Sequence, residues 1–451
     1  MNVLIQISQL LLSLSILVIL HESGHFLTAK LFKTRVEKFY LFFNPWFSLF
    51  KVKKGDTEYG LGWLPLGGYV KISGMIDESM DKEQLKKPPQ PYEFRSKPSW
   101  QRLIIMLGGV MVNLIIGILI YSFVLLVWGE KYLPNENLTD GIWCIDSLAL
   151  DIGLENGDKI ISINGEQPDR YSDILGKLIF GGSVQVLRND REINIDIPED
   201  FVGKLVEKRK GLLIYPRIPF IVAEIPDTSI NVNSDLRSKD RVVGIEGIRI
   251  KYYDEYKSIT DTLKGKEIAL DILRENEEKT VKVRLSDEGL FEITTAILGF
   301  KEMEKLNIYK FNTKKFTFLS AIPAGLIKAK EKLGFYIKQF KLIFNFKTGA
   351  YKGLGGFGSI GGLFPHVWEW QAFWEITAFL SLILAFMNIL PIPALDGGHV
   401  TFLLFEIITG RKPGDKFLEY AQITGMIILL SILLYANGND IVRLIQRLLG
   451  K

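Results

Sequence analysis

Apolar positions in this chain gather into four long uncharged runs. Val3 to Leu20 holds 18 residues without a charge, Leu103 to Trp128 holds 26, Ile376 to Leu395 holds 20 and Ala421 to Asn439 holds 19. Roughly 20 apolar residues in a helix cover the hydrocarbon core of a bilayer, so each run predicts a spanning helix. The first run has no basic segment before it. It passes directly into His21-Glu22-Ser23-Gly24-His25 instead of a small-residue cleavage site, which predicts a retained helix and not a signal peptide.

The residues between the second and third runs have a different pattern, with short alternating stretches and turn signals. They repeat themselves. Gly157-Asp158-Lys159-Ile160-Ile161-Ser162-Ile163-Asn164-Gly165 returns as Lys239-Asp240-Arg241-Val242-Val243-Gly244-Ile245-Glu246-Gly247. Val186-Leu187-Arg188-Asn189 is answered by Ile272-Leu273-Arg274-Glu275, and an alternating strand follows each. Two copies read as tandem modules, because a solenoid needs at least three. The Leu-x-x-Gly-Asp-x-Ile-x-x-Ile-Asn-Gly pattern resembles PDZ domains, with Gly-Asp at a tight corner and Asn-Gly closing a hairpin. The second copy has Ser238-Lys239 in place of the glycine. Such modules bind peptides by adding a strand to a sheet edge, or they serve only as spacers or size filters. Farther on, Phe311 to Phe346 mixes Lys with Phe, Leu and Ile at helical spacing, as an amphipathic helix near a membrane surface does. Gly349 to Gly362 then holds seven glycines and predicts a mobile or tightly turning loop.

The expected architecture is a polytopic α-helical membrane protein with four transmembrane helices and two tandem, mostly-β PDZ-like domains inserted between helices two and three. The divisions are 1–32 for the first helix, 33–100 for a loop with a re-entrant hairpin and 101–128 for the second helix. The modules occupy 129–212 and 213–292. An amphipathic helix and Gly-rich loop take 293–371, the third helix 372–395, a polar segment 396–420, and the fourth helix with its tail 421–451.

Composition adds limits. The averages, 47% hydrophobic and 24% charged, look ordinary and conceal the split between apolar helices and a polar insert. A net charge of +4 over 451 residues, with no dense basic run, argues against nucleic acid as a partner. The segment Lys30 to Arg102 carries 14 Lys/Arg against 8 Asp/Glu, which predicts that this loop faces the cytoplasm. Both termini and the modules then lie outside, although Arg443, Arg447 and Lys451 in the tail vote mildly the other way. One cysteine, Cys144, excludes an internal disulfide framework and a cysteine zinc cluster. Any metal must draw on carboxylates and on four histidines, His21, His25, His366 and His399.

The chemistry is concentrated in His21-Glu22-Ser23-Gly24-His25. Residues i and i+4 share a helix face, so both imidazoles can ligate one Zn2+, while Glu22 lies about 100° round the axis, near enough to act on a water. A catalytic zinc takes a third protein ligand and keeps one position open. Ionisable groups at the end of an apolar run are expensive and seldom idle. The third apolar run ends in Asn388-Ile389-Leu390-Pro391-Ile392-Pro393-Ala394-Leu395-Asp396-Gly397-Gly398-His399, where the prolines break the helix. Asp396 is the favoured third ligand. His399 is its competitor, or a group that orients it.

These motifs, together with the PDZ-like insert, resemble the site-2 protease family of M50 intramembrane zinc metalloproteases, in its bacterial regulator of sigma-E protease branch. The resemblance spans essentially the whole chain. Gly67-Gly68-Tyr69-Val70 looks like that family's re-entrant β-hairpin. Gly108-Gly109 with Asn113 looks like its Gly-Pro-x-x-Asn element, with Val110 where proline is expected. The resemblance implies a zinc metalloendopeptidase in the bacterial inner membrane, with its active site towards the cytoplasmic side. It implies substrates that are single-pass membrane proteins already trimmed outside by another protease, such as anti-sigma factors or signal-peptide remnants. Glu22 would be the general base, with Asn388 and the Gly67-Gly68-Tyr69 strand holding an unwound substrate. Two other classes fit parts of the pattern. One is an inactive PDZ-bearing membrane scaffold. The other is a metal-ion transporter, although transporters usually show repeated helical halves.

Overall fold

The first apolar run continues well beyond Leu20. Helix α1 spans Asn2–Leu31 and carries the His21–His25 pentapeptide in unbroken helix. The structure is a computed structural model that describes residues 2–65, 67–75, 88–208 and 212–449. The charged stretch 76–87 of the loop expected on the cytoplasmic side, Leu66 of the expected hairpin, and 209–211 at the expected junction of the two modules lie outside the described residues. The chain divides into two units. One comprises Met1–Glu130, Lys315–Lys341 and Leu354–Lys451; the other comprises Lys131–Lys314 and Leu342–Gly353.

The first unit is built from helices. After α1 come α2 (Ser99–Trp128), α3 (Phe318–Ile343), α4 (Trp370–Ile389), α5 (Asp396–Thr409) and α6 (Asp415–Leu448). Among the described residues four helical stretches are long and apolar enough to cross a bilayer: Val3–Leu31, Ser99–Trp128, Trp370–Ile389 and Lys416–Gln446. The protein is therefore polytopic and membrane-embedded. Apolar burial adds little between helices in lipid, so small residues and polar bonds decide how they meet. A Cβ on Gly24 would stand 2.3 Å from the Gly108 carbonyl oxygen, and one on Gly108 would stand 2.6 Å from the Gly24 oxygen. Here α1 and α2 touch backbone to backbone. The Thr377 hydroxyl donates to Ser13 Oγ at 3.0 Å, and Ser381 donates to the Asn113 carbonyl at 2.7 Å. These two bonds tie α4 to α1 and to α2.

The stretch expected to lie along a membrane surface is more deeply engaged than that. Ala321, Gly325 and Ala329 of α3 are buried, and a Cβ on Gly325 would fall 2.1 Å from Ser122 Oγ of α2. Tyr336 and Phe340 pack edge-on against Phe386 of α4. One face of α3 is thus a helix–helix interface. Residues turned away from this face, Leu319 and Ile327 among them, stay exposed.

Between α1 and α2 lies a four-stranded sheet of β1 (Val36–Leu41), β2 (Phe50–Lys54), β3 (Thr57–Leu61) and β4 (Tyr69–Ile72), in the order β2-β3-β1-β4. Its edge strands are β2 and β4. Strand β4 runs antiparallel to β1, with Phe39 opposite Val70 and Tyr40 opposite Tyr69.

The second unit is mostly β and shows the sequence repeat in three dimensions. In the first copy β6 (Lys159–Ile163), β7 (Gly182–Arg188) and β8 (Arg191–Ile197) form one sheet, following β5 (Ile142–Cys144), which pairs with β9 (Ile214–Pro216). In the second, β10 (Phe220–Glu224), β11 (Arg241–Ile245), β12 (Glu267–Arg274), β13 (Glu277–Arg284) and β14 (Thr294–Thr295) lie in the order β13-β12-β11-β10-β14. Each copy is pinned by the same clamp. Buried Asp158 accepts from Arg188 Nε at 2.7 Å and from the Glu155 backbone N–H at 2.8 Å. Buried Asp240 accepts from Arg274 Nε at 2.8 Å and from the Arg237 N–H at 2.7 Å. The missing glycine of the second copy does not abolish its turn, because Lys239 takes the left-handed conformation at φ 72° where Gly157 has 90°.

Candidate metal centre

Each ligating side chain is delivered by a local feature of its own. The helical run of α1 puts His21 and His25 one turn apart on one face. Asp396 arrives differently. Helix α4 stops at Ile389, the chain turns through Leu390–Leu395, and Ala394 adopts φ 79°, a left-handed conformation that costs a non-glycine residue about 1–2 kcal/mol. Helix α5 then opens at Asp396, where the helix dipole favours a carboxylate. The glycines that follow permit this return. A Cβ on Gly397 would stand 2.1 Å from the Leu390 oxygen, and one on Gly398 2.7 Å from Pro393 Cα.

Three ligand atoms converge. Asp396 Oδ2 lies 3.2 Å from His21 Nε2 and 3.3 Å from His25 Nε2, and the two Nε2 atoms are 3.3 Å apart. Zinc bonded to nitrogen and oxygen at about 2.0–2.1 Å in a tetrahedron has ligand–ligand edges of about 3.3–3.4 Å, so this triangle fits one zinc face with a fourth position open. The donor set, two imidazoles and a carboxylate, is also that of a catalytic zinc site. Asp396, and not its competitor His399, makes the third corner. His399 sits one turn along α5 and lines the same cavity.

That cavity measures about 560 Å³, and its lining includes every site residue expected from the sequence: His21, Glu22, His25, Gly67, Gly68, Tyr69, Asn388, Asp396 and His399. Asn388 Nδ2 lies 3.4 Å from His21 Nε2. The Tyr69 ring is occupied in packing. It stacks on Tyr40 at 5.3 Å, and its hydroxyl donates to Asn44 Oδ1 at 2.9 Å, so its contribution to the cavity is strand position. Gly68 lies close against α1, where a Cβ would stand 2.7 Å from Val18 Cγ1 and 3.5 Å from Glu22 Cγ. The Glu22 carboxylate accepts a backbone hydrogen bond from Val70.

Helix α2 supplies what motif reading assigned no role. A Cβ on Gly109 would fall 2.4 Å from His25 Nε2, so this glycine is the floor on which the imidazoles rest. His25 Nδ1 lies 2.9 Å from the Ile105 carbonyl, and Asn113 Nδ2 lies 3.2 Å from His21 Nδ1. The available signal was an asparagine and a Gly-Gly pair within an uncharged spanning run, the element noted above as family-like. Gln422 of α6 also lines the cavity, again a polar residue in an uncharged run.

Helices that span a bilayer and a two-histidine, one-carboxylate centre set into them define a membrane-embedded metalloprotease class. The chain belongs to peptidase family M50, whose family model matches residues 9–432. It is 25% identical to a protein of Treponema pallidum (95% of this chain, 97% of the other), 26% to one of Neisseria meningitidis serogroup A (95% and 97%) and 28% to one of Campylobacter jejuni (96% and 92%). All three bear the name "Putative zinc metalloprotease". The protein is thus a zinc metalloprotease of the site-2 protease type, acting on protein substrates in a membrane setting. This favours the enzyme over the scaffold and the transporter.

Proposed function

We propose that this protein cuts the transmembrane segments of single-pass membrane proteins that have already been trimmed on the outer side. The observation that carries the reading is the convergence of His21 Nε2, His25 Nε2 and Asp396 Oδ2 within 3.3 Å of one another, beside Glu22, on helices apolar enough to span a bilayer. Zinc held there supplies Lewis acidity, which makes a water more acidic and polarises a peptide carbonyl. Glu22 takes a proton from water in the cavity and returns it to the departing amine.

A helical substrate hides its peptide bonds, so it has to be held extended. Strand β4 is suited to this, because it is an edge strand of its sheet and Tyr69–Ile72 line the cavity. A substrate strand added to β4 would lie along Glu22, with the Asn388 amide holding its backbone. Of the two edge strands only β4 lines the cavity; β2 is the other edge, and β3, within the stretch 59–72 expected to pair, lies inside the sheet between β2 and β1.

We read the two β units as PDZ-like modules on the strength of their shared Asp–Arg clamp and turn. Tethered between two spanning helices, they act as a size filter that turns away substrates with bulky outer domains. The positive balance of residues 30–102 orients that loop to the cytoplasm and both termini outside.

Co-expression with candidate single-pass substrates tests the function. Glu22→Gln keeps zinc and loses cleavage, whereas His25→Ala and Asp396→Asn lose both. Continued proteolysis by Glu22→Gln sinks the mechanism. Deleting residues 141–285 admits untrimmed substrates if the modules filter by size. It abolishes cutting of trimmed ones if they are receptors.

A further inference from the structure

Neither histidine can bind a metal through Nε2 unless its proton sits on Nδ1. For His25 the backbone arranges this, since the Ile105 carbonyl 2.9 Å away can only accept. For His21 the neighbour is the Asn113 side chain, which is 0% exposed. An amide can serve either way. With Nδ2 towards the ring, His21 carries its proton on Nε2. With Oδ1 towards the ring, the proton sits on Nδ1 and the Nε2 lone pair is free.

Two observations favour the second arrangement in the zinc protein. Asn113 Oδ1 is buried and finds no hydrogen-bond partner among the described residues. Half a turn of the amide, whose two ends are nearly the same in shape, brings that oxygen to the His21 ring nitrogen. His21 Nε2 meanwhile points at Asp396 Oδ2 and His25 Nε2, where a lone pair is needed. Asn113 follows Gly109 by one helical turn, so the same face of α2 leaves room for the imidazoles and then fixes one of them.

We propose that Asn113 is a positioning residue of the metal centre, whose Oδ1 accepts from His21 Nδ1 and holds His21 in the tautomer that ligates zinc through Nε2. Helix α2 therefore orients both histidines while giving no ligand, one through a backbone carbonyl and one through a side chain. This rests on the metal reading above and extends it to a residue that is not one of the three proposed ligands.

The test is zinc affinity of the full-length protein in detergent, measured by chelator competition with zinc alone. Asn113→Leu keeps the shape and removes the acceptor, and should weaken zinc binding about 10–100-fold, as loss of such a partner typically does. Asn113→Asp keeps an acceptor and should stay within about threefold of wild type, well short of that loss. Thermal unfolding in excess chelator should show Asn113→Leu folded as well as wild type. If it is not, the comparison moves to Asn113→Asp and to the histidine 15N spectrum of the zinc-loaded wild type. Only four histidines contribute to that spectrum, and it should show His21 protonated at Nδ1. Wild-type zinc affinity in a folded Asn113→Leu, weak binding by Asn113→Asp, or His21 unprotonated at Nδ1 overturns the proposal while leaving the metal centre standing. Failure of the wild type to bind zinc overturns both.

Discussion

Replacing Gly109 with alanine adds one methyl group directly beneath the metal centre. The new Cβ would stand 2.4 Å from His25 Nε2, 2.6 Å from His21 Cε1 and 2.8 Å from His21 Nδ1. Carbon contacts settle at about 3.5 Å, so something must retreat by roughly 1 Å. If the imidazoles retreat, they leave the 3.2–3.3 Å triangle, and metal–ligand distances tolerate only about 0.2 Å. If α2 retreats instead, the 2.9 Å bond from His25 Nδ1 to the Ile105 carbonyl stretches beyond hydrogen-bonding range, and the Gly24–Gly108 crossing opens. Either way the ligands are misplaced by about 1 Å, an error that costs on the order of 100-fold in rate. Zinc affinity by chelator competition and cleavage of a co-expressed substrate should both fall by at least that order. Gly334→Ala on α3 is the control, since nothing lies within 4 Å of its added Cβ, and it should be neutral or stabilising by about 0.5–1 kcal/mol. A Gly109→Ala protein that binds zinc within a few-fold of wild type and cleaves normally would refute the argument that this glycine sets the imidazole positions.

Three further outcomes follow from other parts of the chain. Gly68→Ala places a Cβ 2.7 Å from both the Tyr40 oxygen and Val18 Cγ1; it should shift β4 and lower cleavage while zinc binding holds, and unchanged cleavage would argue against substrate pairing there. Asp158→Ala removes the buried carboxylate that holds Arg188 and the Glu155 amide, and denaturant melts of the second unit should show a loss of about 3 kcal/mol. Burial, with the nearby Asp158 and Asp254 carboxylates, pushes the Cys144 thiol up to about 12, so at pH 8 it should resist thiol reagents until the second unit unfolds; it need not be removed when cysteines are introduced to map orientation, where labels at residues 82–89 should be protected in intact cells and labels at 135 or 287 should react.

Much of this protein was legible without a fold, and the reason is physical. A bilayer admits few structures, so four uncharged runs already imply four helices. A helix places i and i+4 together, so His21 and His25 had to share a face. The repeat was legible because both copies spend the same Asp and Arg on the same clamp. Tertiary structure decided what no local rule reaches. Asp396 is 371 residues from His25, and only the break after Ile389 and the backward turn through Ala394 bring its oxygen between the imidazoles. The sequence left His399 as a competitor, because a motif does not reveal which of two side chains one turn apart faces the ligands. Gly109 and Asn113 were legible as part of a family-like Gly-Gly-x-x-x-Asn element, but the role of each depends on the crossing of α1 and α2 at Gly24 and Gly108. Which strands lie at the sheet edges was also undecided, since strand order, unlike strand alternation, is a property of the assembled sheet. Local periodicity fixes which face a residue occupies, whereas the partner of that face is set by close packing among segments distant in the chain.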